Sequence, residues 1–175
     1  MESNSVQMQI LKIYREFCKF SNYLQPLVLL VFRLTWGWQF FLSGKGKLLN
    51  HNNVSEFFTS LGIPFPELNA WVVGGVECIG GLLLLAGLAS RPVGLILSLT
   101  MTVAYLSVED DRTKVINVFK DMTPFLTADP FFFWLTAVIT LAFGAGPLSL
   151  DWLIERFFIK DKAGSGKPAY DGTSQ

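Results

Sequence analysis

The chain has 175 residues, 51% of them hydrophobic and 16% charged, and its 14 basic and 14 acidic side chains leave no formal net charge. A mean hydropathy of +0.41 is more apolar than a water-soluble domain of this length carries, so the chain belongs in a bilayer. No dense basic block with interleaved aromatics occurs, which excludes nucleic acid as a partner.

At the N-terminus, Val6, Ile10, Ile13, Phe17, Phe20 and Leu24 recur at helical spacing, with Lys12, Arg15, Glu16 and Lys19 on the other side. The pattern predicts an amphipathic segment over 1–24, either lying in the headgroup region or packed on a partner subunit. Charges ahead of the first apolar run, the length of that run and the lack of a small-x-small site argue against a secretory signal, so the first span is expected to stay in the mature protein.

Four segments reach the length a spanning helix needs: Gln25 to Leu42, Leu68 to Leu88, Pro92 to Val108, and Phe131 to about Leu148. The fold expected is therefore all-α, a polytopic membrane protein with a four-transmembrane-helix bundle over 25–150 preceded by the amphipathic interfacial helix. The turn Ala89-Ser90-Arg91-Pro92 makes the second and third spans antiparallel neighbours. Between the first two spans, Asn53 and Glu56 have the spacing of a capping box, with Val54, Phe57, Phe58 and Leu61 on one face before Gly62 and Pro64 stop the helix. Val115, Val118, Phe119 and Met122, ahead of Pro124, suggest a similar short segment capping the bundle or dipping into it. The stretch 151–175 reads as an interfacial turn and a disordered tail from Ala163 onward. Lys and Arg outside the spans favour both termini in the cytoplasm of a multi-pass inner-membrane protein.

Arg33 and Glu77 lie inside apolar spans, where charges are costly and usually face a bundle interior. On the first span Arg33, Gly37, Phe41 and Gly44 share a face; on the second, Ala70, Gly74, Glu77 and Gly81 do. Small residues flanking a charge let membrane helices approach closely. Taken from the span ends, the two charges lie at about 12 Å and 16 Å from one side at 1.5 Å per residue. An Arg33–Glu77 ion pair is expected, either locking helix register or lining a ligand site. On the third span Gly94, Ser98, Met101 and Tyr105 share a face, so Tyr105 either hydrogen-bonds Glu77 or a ligand, or packs in the core. Trp134 and its neighbours fit an aromatic belt.

Arg33-x-x-x-Gly37-x-x-x-Phe41-x-x-Gly44-x-x-Lys47, Gly62-Ile63-Pro64, Glu77-x-x-Gly80-Gly81-x-x-Leu84-x-x-Gly87-x-x-x-Arg91, Met101-x-x-Ala104 and Gly146-Pro147-x-Ser149-x-Asp151 follow one another in this order. From Leu27 to Asp151 the chain resembles the DoxX family. The resemblance implies a four-helix membrane bundle whose relatives include the membrane subunit of a thiosulfate:quinone oxidoreductase and others placed in membrane redox complexes. It maps the family's Arg, Glu, Lys, Ser and Asp positions onto Arg33, Glu77, Lys47, Ser149 and Asp151. The chain departs from the family in having Leu148 after Pro147, where many relatives carry glycine, and Val108 and Glu109 where a histidine is often seen.

Cys18 and Cys78 form no CxxC pair, and His51 in the Asn50-His51-Asn52-Asn53 loop is the single histidine, so neither dithiol chemistry, a zinc site nor a haem ligand pair is expected from this chain. Without a nucleophile motif or phosphate loop, an enzymatic role needs an organic cofactor or a second subunit. A quinone suits a gap lined by Gly37, Gly74 and Gly81, with Arg33 and Tyr105 as donors and Glu77 exchanging the proton. The expected partners are the bilayer and other membrane or redox subunits, with a homo-oligomer also open. The competing reading is a non-enzymatic scaffold, assembly factor or small-solute carrier, in which Ser149 caps the helix that follows and Asp151 favours its positive end.

Overall fold

The computed structural model describes residues 2–159, and all of its regular structure is helical: α1 (Glu2–Leu49), α2 (His51–Ser60), α3 (Pro66–Ala86), α4 (Ser90–Ser107), α5 (Glu109–Ile116), α6 (Thr123–Leu126), α7 (Pro130–Phe143) and α8 (Leu150–Ile154), with a π-helical turn at Glu155–Ile159. The tail expected to be disordered from Ala163 lies outside the described residues.

The N-terminal segment and the first span form one continuous helix, with no break near Leu24 and with Pro26 inside α1. A proline removes one backbone hydrogen bond, but no glycine or turn sequence adjoins it to stop the helix. Among the described residues, α1 and α3 are each long and apolar enough to cross a bilayer, and α4 with α5 forms a pair bent by 102° that extends the number to three. The fourth expected span, α7, is apolar but has 14 residues, about 21 Å of helix against a hydrocarbon core of about 30 Å.

Two helix pairs make up the bundle: α3 packs chiefly on α1, and α4 chiefly on α7. Small residues set both contacts. A Cβ on Gly81 would stand 2.7 Å from the Gly37 carbonyl oxygen, and one on Gly44 2.6 Å from that of Gly74. A Cβ on Gly94 would stand 2.8 Å from the Ala137 carbonyl oxygen. Backbones this close tolerate no side chain between them, so the glycine positions dictate which helices pair and in what register. Between the pairs, Trp36 stacks on Phe132 at 5.2 Å and Phe40 meets Phe133 edge-on at 4.8 Å. Phe40, Leu84, Val93, Leu97, Met101 and Ala137 form the core. Trp134 donates from Nε1 to Thr102 Oγ1 at 3.1 Å, tying α7 to α4 rather than serving only as a belt residue.

The loops differ in detail from expectation. α2 begins at His51 with Asn50 as its N-cap and no side-chain capping bond, so the Asn53–Glu56 box is not formed. The helix starts three residues, nearly a full turn, earlier, because Asn50 follows α1 almost directly and its Nδ2 donates to the Gly46 carbonyl at 3.0 Å. His51 is not a free loop side chain: it stacks on Trp71 at 4.5 Å and its Nε2 lies 3.0 Å from the Glu67 carbonyl oxygen. Cys18 and Cys78 are both free thiols.

Candidate functional site

Arg33 and Glu77, both buried at 4% and 1% exposure, do not pair. Arg33 donates from Nη1 to the Ala145 carbonyl at 3.0 Å and from Nη2 to the Leu148 carbonyl at 2.6 Å. Glu77 is held by Lys47, whose Nζ contacts both carboxylate oxygens, and accepts from Ser43 Oγ at 2.9 Å. The expected depth match assumed that α1 enters the bilayer level with the end of α3. The glycine register places Gly87 against the Arg33 guanidinium instead. Glu77 is ten residues from Gly87 along α3, about 15 Å away, beyond the reach of an arginine side chain.

The Arg33 end is a structural hub. Gly144 and Gly146 turn the chain back at positive φ after α7, so the carbonyls of Ala145 and Leu148 point into the bundle, where the planar guanidinium satisfies both. Ser149 caps α8, accepting from the Trp152 amide at 3.2 Å and donating from Oγ to the Gly146 carbonyl at 2.6 Å. Asp151 reaches across to the start of α4, accepting from the Ala89 amide at 2.7 Å and the Ser90 amide at 2.8 Å, while its own amide donates to the Gly87 carbonyl at 2.9 Å. Burial pushes the Asp151 carboxyl up, but the Ser90 and Ala89 hydrogen bonds and the Arg33 charge outweigh it and hold it below the ordinary 3.8. Asp151 thus serves the positive end of α4 as well as that of its own helix. Arg33, Ser149 and Asp151 are committed to backbone groups, and together they bind the ends of α3, α4 and α7 to α1.

Around Lys47 and Glu77 lies a cavity of about 730 Å³, lined by side chains of α1, α2, α3, α4 and α7. Its walls are mostly apolar, including Phe58, Val73, Val76, Met101 and Phe133, and Lys47, Glu77 and Ser43 form its charged floor. Of the candidate ligand residues, Glu77 and Lys47 line this cavity. Gly37, Gly74 and Gly81 are in contact with the opposing helix and leave no space. Tyr105 stacks on Phe125 at 5.2 Å and donates to its carbonyl at 3.2 Å, away from Glu77. Ser43 escaped the sequence reading although a signal existed. It lies one turn before Lys47, and the antiparallel pairing of Gly37 with Gly81 and Gly44 with Gly74 places both opposite Glu77.

A buried carboxylate, an ammonium and a hydroxyl on an apolar wall can orient a carbonyl-bearing molecule and exchange a proton with it. Among the described residues no cluster of metal-ligating side chains occurs. The family described as DoxX matches residues 28–110. A Bacillus subtilis protein named "Putative oxidoreductase CatD" is 36% identical over 80 residues, 46% of this chain and 58% of that protein, so less than two thirds of its length is spanned. An uncharacterized Haemophilus influenzae protein is 30% identical over 147 residues, 81% of this chain and 92% of its own. No solved structure matches the chain at a significant level. With helices apolar enough to cross a membrane and the DoxX match over residues 28–110, the chain belongs to the DoxX family of membrane proteins.

Proposed function

We propose that this protein is the membrane subunit of a redox complex and that the cavity over Lys47 and Glu77 takes the ring of an isoprenoid quinone. The observation that carries this reading is a charged floor, with the Glu77 carboxylate buried and Lys47 half-buried, beneath an apolar cavity of about 730 Å³, within the usual range of small-molecule sites. The donor set fits such a ring. Lys47 offers an N–H to a ring carbonyl, the Glu77 carboxylate can take up and return the proton that accompanies ring reduction, and Ser43 orients the carboxylate. The apolar walls exclude water and suit an isoprenoid tail. A quinone, when bound, supplies reversible two-electron, two-proton chemistry. The redox word in the name of the Bacillus relative is consistent with this assignment. In the same reading α7 completes a four-helix inner-membrane bundle with both termini in the cytoplasm, and a further redox subunit delivers the electrons.

Purification in mild detergent with native lipid, followed by solvent extraction and quinone analysis, tests the assignment. Bound quinone that is lost on Lys47→Ala or Glu77→Gln and kept on His51→Ala supports it. No quinone and no spectral cofactor in the unaltered protein moves the assignment to the non-enzymatic scaffold, which the wholly structural engagement of Arg33, Ser149 and Asp151 favours.

A further inference from the structure

Along α1 the residues Ile13, Phe17, Phe20, Leu24, Leu27, Val31, Leu34 and Trp38 step by 4, 3, 4, 3, 4, 3 and 4, and all eight are between 43% and 71% exposed. We propose that this stripe is a homodimer seam, in which two copies of the chain pair their α1 helices as a parallel coiled coil that begins outside the bilayer and continues into it. Other apolar side chains of α1, among them Leu11, Val28 and Leu42, are exposed too, but these eight keep a 3.5-residue period that facing lipid does not require. On a straight helix such a stripe drifts by about 20° per heptad, or about 70° over its length, and only supercoiling around a matching helix holds it on one line.

Lipid alone does not cover the N-terminal part. α1 is unbroken over 48 residues, about 72 Å of helix against a hydrocarbon core of about 30 Å. Its direction is set by the packing of Gly37 and Gly44 on α3, so the stretch before Pro26 stands off the bundle instead of folding into the headgroup plane. Charge fits the same partner. Lys12, Arg15 and Lys19 lie away from the seam. The flanking positions are Tyr14 and Ser21 on one side and Glu16 and Tyr23 on the other, with Glu16 already paired to Lys19 at 2.6 Å. Two copies inserted in one membrane share one orientation, so a two-fold axis along the membrane normal brings each seam residue against its own counterpart.

The test is oxidative cross-linking of full-length protein in native membrane vesicles, on a Cys18→Ser background that must itself give no dimer. Ile13→Cys and Phe20→Cys are expected to yield a disulfide-linked species of twice the monomer mass, at least five-fold above Arg15→Cys or Lys19→Cys. Equal yields at all four positions, or none at the seam, overturn the proposal. So do seam cysteines that are shielded from a water-soluble maleimide yet never link, since lipid is then the cover. As a second measurement, labelled protein diluted into vesicles should bleach in two steps, and in one step for Phe17→Glu/Phe20→Glu. Single-step bleaching of the unaltered protein overturns the proposal as well.

Discussion

Lys47 of α1 contacts both carboxylate oxygens of Glu77 of α3, and this ion pair, rather than one with Arg33, neutralises the buried carboxylate. Removing only the ammonium leaves that carboxylate without a cation in a wall that is 1% exposed at its side chain. Lys47→Met is expected to cost about 3 kcal/mol of stability, because breaking a buried pair is worse than lacking it. Lys47→Met/Glu77→Met should recover to within about 1 kcal/mol of the unaltered protein by the same logic. Unfolding by graded denaturing detergent, run as a double-mutant cycle, checks both values.

Two glycines six residues apart on α3, Gly75 and Gly81, should respond with opposite sign. Gly81→Val drives a branched side chain into the α1 backbone and should separate α1 from α3, with a loss of several kcal/mol, about 3 or more by analogy with overpacked cores. A methyl group on Gly75 would meet nothing within 4 Å, so Gly75→Ala should gain up to about 1 kcal/mol from helix propensity alone. Thermal inactivation in detergent micelles measures the two against each other.

Arg33 should be a folding residue and not a ligand residue. Arg33→Lys supplies a single point charge where two carbonyls need a planar fork, so it is expected to lower stability by about 2 kcal/mol. The same substitution should leave extractable quinone per folded protein unchanged, because the guanidinium lies at the opposite end of the bundle from the cavity. Loss of the quinone in a protein of normal melting temperature would contradict this separation.

Asp151 makes stability depend on acid. Its folded pKa lies below the ordinary 3.8, so its contribution is fully present above about pH 5 and is lost as pH falls through the folded value. Asp151→Asn removes this acid limb and, by weakening the cap on α4, should cost about 1 kcal/mol at neutral pH. Melting temperatures of the two proteins between pH 3 and pH 7 should converge at the acid end.

Much of the local structure was legible in the residues. The helical class, a break between the second and third apolar segments, which falls at Gly87–Ala89 with Ser90–Pro92 already in the first turn of α4, and the Ser149 cap follow from hydropathy, chain length and capping chemistry, which act over a few residues. The small-residue faces also marked the helix contact correctly, since Gly37 and Gly44 do meet Gly81 and Gly74. The error lay in vertical register. Apolarity put the start of the first span at Gln25, whereas α1 is one helix from Glu2 and its level against α3 is decided by where glycine backbones mesh.

By itself, the sequence determined a helical membrane protein with two buried charges and the glycines that let its helices touch, because burial cost and backbone sterics are properties of residue type and spacing. Only the tertiary structure decided what those charges meet. A shift of about five residues, or about 7.5 Å, between two antiparallel helices changes every polar partner while leaving each hydrophobic pattern intact. That shift assigned Arg33 to the carbonyls after α7 and gave Glu77 to Lys47 on the floor of the cavity.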